Sequence, residues 1–166
     1  MDQFGNRVAY AVRFTVMNTA IGTALIESYL RTRHVQCFRG HHDDEYFFLV
    51  NAYHGRLHVH LQPCGPDGAA VQISITAQRY YPADERDRVS ALVQEWNATD
   101  PRVTAAVFAS SDPGLVGVLA ERRYRADDAE FGPFVDQAVQ SAADLFGRLR
   151  ALVTSPSDST RLLDAG

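Results

Sequence analysis

All six histidines of the chain, His34, His41, His42, His54, His58 and His60, fall between positions 34 and 60. His58 and His60 stand two residues apart, which on a strand puts both imidazoles on one face, as ligand pairs in many metal sites are placed. The run His41-His42-Asp43-Asp44 offers further nitrogen and oxygen ligands from a neighbouring loop. Together they are the starting material for a small metal- or ligand-binding enzyme. The plainer reading is a solvent-facing strand that uses histidine, next to a polar loop. Nothing else in the chain assembles a reactive set. Ser74, Ser90, Ser110 and Ser111 lie outside any G-x-S-x-G elbow. Gly114-Leu115-Val116-Gly117 lacks the lysine of a phosphate loop, and the chain has no lysine at all. Arg122, Arg123 and Arg125 read as a solvated strand end, and Asp84, Glu85, Asp87 and Glu95 as an exposed helix face.

The elements that would position the histidines follow from periodicity. From Val35 to Tyr81 apolar residues alternate with polar ones, the period of strands. His54-Gly55 reads as a two-residue hairpin turn, glycine supplying the positive φ. That turn pairs Tyr53 with Arg56 and Asn51 with His58. One hairpin face then carries Phe48, Val50, Ala52, Leu57, Val59 and Leu61, and belongs to the core. The other carries Phe47, Leu49, Asn51, His58, His60 and Gln62, with apolar side chains on what should be the polar side. No carboxylate stands opposite either histidine, so neither a metal nor another cofactor is expected. A third strand, Val71 to Arg79, alternates with Val71, Ile73, Ile75 and Ala77 inward.

Helices flank these strands. The first is expected over about residues 19–32, with Ile21, Leu25 and Tyr29 on one face joined by Ala24 and Leu30. The second follows Pro82: Val89, Leu92, Val93 and Trp96 recur at helical spacing, and Pro101 forbids its continuation. Trp96, the only tryptophan, is the structural anchor of that stripe. Arg102–Ser110 and Leu115–Arg122 form a second hairpin through Ser111-Asp112-Pro113-Gly114. The last helix extends from the Asp128–Pro133 neighbourhood, capped by Asp128 or Gly132, to about Val153. Its stripe includes Phe131, Phe134, Val135, Ala138, Ala142, Leu145, Phe146 and Leu149. Residues 1–18 alternate through Val8, Tyr10, Val12, Phe14 and Val16 and are expected as an edge strand or an extension. Residues 154–166 are polar and aperiodic, and a disordered tail is expected there.

A chain of 166 residues, 46% hydrophobic and 22% charged, has the composition of one folded domain, here over 19–153. Its net charge of −4 argues against a phosphate-binding face, so no nucleic-acid partner is expected. No run is apolar enough to cross a bilayer, no leader is evident, and Cys37 and Cys64 show no zinc spacing. The expectation is a cytoplasmic protein with reduced thiols and no membrane partner.

The stretch Arg88–Ala98, RVSALVQEWNA, with its triplet Glu95-Trp96-Asn97, resembles the YbjN family, described as bacterial sensory transduction regulators. The resemblance extends in element order over about residues 19–150. It departs in the extra residues before the first helix and in a loop between Ser110 and Leu115 that holds one acid, Asp112. It implies an α+β fold like that of type III secretion chaperones: an antiparallel sheet packed by helices, in the order α-β-β-β-α-β-β-α. Those chaperones are commonly homodimers that hold extended segments of their clients. With no convergent acid, base and nucleophile in the chain, the expected function is a non-enzymatic protein-binding module, chaperone-like or regulatory. Phe47, Leu49, Asn51, His58 and His60 form its expected interaction face, and a protein or peptide its expected partner. The enzyme built on His58 and His60 is the alternative.

Overall fold

The structure is a computed structural model and describes residues 21–42 and 44–153. The expectations for residues 1–18 and 154–166 lie outside the described residues.

The first helix, α1, occupies residues 21–32. It buries Ile26, Tyr29 and Leu30, with Leu25 half-buried, while Ile21 is exposed. The apolar stripe is thus rotated from the Ile21–Leu25–Tyr29 line expected from spacing. His34 ends the helix in the left-handed region at φ 53°, and Val35 N–H reaches back to the Leu30 carbonyl at 2.9 Å. One of the six histidines therefore serves as a helix stop.

Seven strands then build a single antiparallel sheet. They are β1 (Cys37–Arg39), β2 (Tyr46–Ala52), β3 (Gly55–Cys64), β4 (Ala70–Ala77), β5 (Tyr81–Pro82), β6 (Thr104–Ala109) and β7 (Leu115–Tyr124). Between β5 and β6 lie a short 3-10 turn, Ala83–Glu85, and the helix α2 (Arg86–Thr99). The helix α3 (Phe131–Val153) closes the described chain. The expected α+β class and helix positions hold, with β1 and β5 as two short additions. The start of α3 differs: it begins at Phe131, and the Asp128 carboxylate accepts the Arg125 N–H at 2.7 Å in the preceding turn instead of capping the helix.

The order across the sheet follows from register. Val116 of β7 faces both Tyr81 of β5 and Ala109 of β6, and Ala120 faces both Ile75 of β4 and Ala105 of β6. So β4 and β5 flank β7 on one side and β6 on the other, and β1 and β6 are the two outer strands. Every strand residue of the hydrophobic core lies on one face, including Phe48, Val59, Ile73, Ile75, Val118 and Ala120, packed with the apolar stripes of the three helices. α3 alone contributes Phe131, Phe134, Val135, Ala138, Ala142, Leu145, Phe146 and Leu149. Trp96 is 4% exposed and lies beneath the Arg148 guanidinium, 5.2 Å from its ring. Arg122 points to this covered side rather than to solvent, its guanidinium 3.6 Å from the Phe134 ring. Burial pulls its pKa down, but it donates to the Phe134 carbonyl at 3.3 Å.

The first hairpin differs from the expected register. Its turn is Tyr53-His54, Ala52 faces Gly55, Asn51 faces Arg56, and Leu49 faces His58. Gly55 follows the turn with φ 137° instead of sitting within it. The physical reason lies across the molecule. His54 packs against α3, where a side-chain carbon on Gly147 would come 2.6 Å from its ring. Arg150 donates to the His54 carbonyl at 2.6 Å. Because the pairing is displaced by two residues, every side chain keeps its expected face.

Candidate functional site

The face of the sheet away from the helices is assembled by strand alternation alone. It brings together all the residues expected there: Phe47, Leu49 and Asn51 from β2, and His58 and His60 from β3. To them it adds Phe38 of β1, opposite Phe47. Phe38 is 59% exposed, Leu49 43% and Phe47 37%, three large apolar groups side by side on an outward surface. β1 is too short for alternation to reveal Phe38 in the sequence. Further along the same face, Phe108 of β6 lies flat over Gly117 of β7 and meets Tyr80 edge-on at 6.1 Å.

The two histidines of this face are not equivalent. His58 is exposed, between Leu49 and Thr76. His60 stacks on Phe47 with ring centres 4.3 Å apart and planes 4° from parallel. Its Nε2 is buried without a hydrogen-bond partner among the described residues, and burial holds its pKa below the ordinary value. The Glu45 carboxylate opposes that shift. Glu45 therefore sits within electrostatic reach of His60, although the strand neighbours carry no acid; its Oε1 also accepts from Gln62 at 3.4 Å.

Across β3, β4 and β7 a polar row of His60, Ser74 and Glu121 brings a base, a hydroxyl and an acid together. The order is wrong for nucleophile activation. Ser74 Oγ donates to Glu121 Oε1 at 3.3 Å, so the acid and not the imidazole holds the hydroxyl, and no hydrogen bond joins His60 to Ser74. A metal is no better served. His41 and His42 are exposed, Asp44 accepts from Thr23 of α1 at 3.3 Å, and Asp43 lies outside the described residues. Among the described residues no group of three or more His, Cys, Asp or Glu side chains is placed to hold an ion. Cys37 and Cys64 are unpaired.

The backbone edges of the sheet complete the site. β1 covers β2 only at Tyr46–Phe48, so residues 49–52 have no strand neighbour on their outer side among the described residues. On the opposite edge, β6, the outward backbone groups of Ala105 are occupied. Asn97 Nδ2 donates to the Ala105 carbonyl and Asn97 Oδ1 accepts the Ala105 N–H, both at 2.8 Å. One side-chain amide thus takes the place of a neighbouring strand. In the sequence Asn97 reads only as a turn-prone residue closing the helix; its use depends on where β6 comes to lie.

With this geometry described, three comparisons bear on the chain. Residues 23–151 match the sequence profile of the YbjN family, described as "Putative bacterial sensory transduction regulator". No curated protein matches. The fold is similar to that of "YbjN, a putative transcription regulator from E. coli", with a TM-score of 0.60 and 12% identity over 78% of this chain and 92% of that one. It is also similar to an uncharacterized protein from Methanothermobacter thermautotrophicus, with a TM-score of 0.52 and 10% identity over 80% of this chain and 99% of that one. At such identities the likeness is one of fold. No helix among the described residues is long and apolar enough to cross a membrane.

Proposed function

The chain belongs to the YbjN family, and from that membership and a sheet face left uncovered among the described residues we propose that it is a non-enzymatic regulatory module acting by binding another protein. The observation that carries this reading is the apolar trio Phe38, Phe47 and Leu49 beside residues 49–52 of β2, whose outer side has no strand neighbour among the described residues. Exposed apolar groups grouped in this way gain from being covered. An extended segment laid against residues 49–52 would satisfy the backbone of β2 and alternate its own side chains over Leu49 and Asn51, the mode of strand addition. The chaperone-like comparison made from the sequence points to the same mode. In the absence of a partner the same face associates with that of a second copy, giving a homodimer.

Light scattering at micromolar concentration tests the self-association. A homodimer is expected for the wild type and a shift to monomer for Leu49→Asp, which places an unpaired charge in the contact. A wild-type monomer rejects it. The partner itself is tested by hydrogen exchange in the bound state, where slowed amides are expected over residues 46–61. A captured protein that leaves this hairpin unprotected would remove the face from consideration.

A further inference from the structure

On the helix-covered side, where the Tyr53-His54 turn meets α3, lies a cleft of about 290 Å³ that the protein-binding reading does not use. Its apolar lining comes from Leu57, Ala77, Ala143 and Phe146. Its charged lining is Arg56, Arg79 and Arg150, and no carboxylate is among the described residues that line it, in a chain whose net charge is −4. Arg150 holds the His54 carbonyl and so fixes the turn as one wall. Arg56 and Arg79 enter no ion pair among the described residues. Tyr81, only 2% exposed, forms another wall; its hydroxyl has no protein partner among the described residues but is not sealed off, so it opens to the cleft. Burial pushes that hydroxyl's pKa up to about 12, so it is a donor throughout the neutral range.

We propose that this cleft binds a small organic carboxylate with an apolar body, the carboxylate held by Arg79 and Arg56 and the body resting on Leu57 and Phe146. Arg56 and Arg79, which enter no ion pair among the described residues, repel one another, and an anion between them relieves that repulsion; the planar fork of each guanidinium matches two carboxylate oxygens. Tyr81 lines the same cleft, where its hydroxyl can donate to a ligand oxygen in place of water. The volume lies just below the roughly 300–1,000 Å³ typical of ligand pockets, which limits the ligand to a small molecule. The site is on the opposite side of the sheet from Phe47 and Leu49, so the inference stands or falls independently of the partner-binding face.

The test is titration of the full chain with octanoate, and separately with its neutral counterpart octanol, followed by NMR of the Ala77 and Ala143 methyl groups. Saturable shifts of both methyls with octanoate are expected, with octanol at least about tenfold weaker because it lacks the charge-assisted bonds. Arg79→Gln, at an exposed position where folding is unaffected, should weaken octanoate about tenfold and leave octanol unchanged. Tyr81→Phe should weaken octanoate severalfold, with an unchanged methyl spectrum in the free protein reporting intact packing. The absence of saturable shifts at millimolar octanoate, equal binding of octanol, or shifts confined to residues of the open sheet face would each overturn the proposal.

Discussion

The two outer sides of the sheet are finished in different ways. Along β6 the helix α2 packs beside the strand, and Asn97 occupies the outward N–H and C=O of Ala105. Along β2 a three-residue β1 covers the first half and leaves residues 49–52, with exposed Leu49 among them, without an outer strand neighbour among the described residues. An unpaired edge is a template for any extended chain. On the proposed reading, strand addition is directed to the half of β2 that is open among the described residues, beside the apolar side chains of Phe47 and Leu49, and away from β6, where Asn97 occupies Ala105.

The largest expected effect comes from removing what seats α2 beside the closed edge. Trp96 is almost fully buried, and Trp96→Ala should cost about 3–5 kcal/mol in urea unfolding. A loss below about 1 kcal/mol would mean that α2 is held by something else. Asn97→Ala removes both bonds to Ala105 and should cost about 1 kcal/mol, water taking the place of the exposed Asn97 amide. The same substitution should make β6 a second sticky edge, read as higher-order species in light scattering. Unchanged size would show that α2 alone protects β6.

Leu49→Asp acts on the open side. Since the side chain is exposed, stability should change by less than about 0.5 kcal/mol while association weakens. A destabilised monomer would place Leu49 in the fold instead of in a contact. The smallest effect is that of His60. Burial lowers its folded-state pKa below the ordinary 6.5, so between those two values the unfolded chain binds more protons. Stability should therefore decline as pH falls from 6.5 toward the folded-state pKa. His60→Gln should flatten that segment of the urea-midpoint curve. An identical slope in the variant would assign the decline to other groups.

How much of this was legible in the sequence depends on the range of the forces involved. The stripe of α3 and the alternation of β4 are written in local periodicity, and they appear in the structure where spacing places them. The hairpin register is not local. It is decided by the docking of His54 on Gly147 and Arg150, the last a contact 96 residues away in the chain, and turn preference alone put the loop one position too late. The side of the sheet on which each hairpin residue lies was nonetheless legible, because a two-residue slip conserves sidedness. Asn97 could be seen in the Glu95-Trp96-Asn97 triplet, but its partner Ala105 is met only after the chain has turned back. The cleft was invisible, since Arg56, Arg79 and Arg150 share no spacing and meet only where the hairpin turn reaches α3.

The contrast between the edges is tested most directly by site-specific photo-cross-linking in the cells that make the protein. One variant carries the cross-linker at Asn51, beside the open half of β2, and another carries it at Ala106, on the closed strand β6. The account predicts a discrete, reproducible protein adduct from position 51 and none from position 106. Adducts of equal yield from both positions, or from position 106 alone, would contradict it.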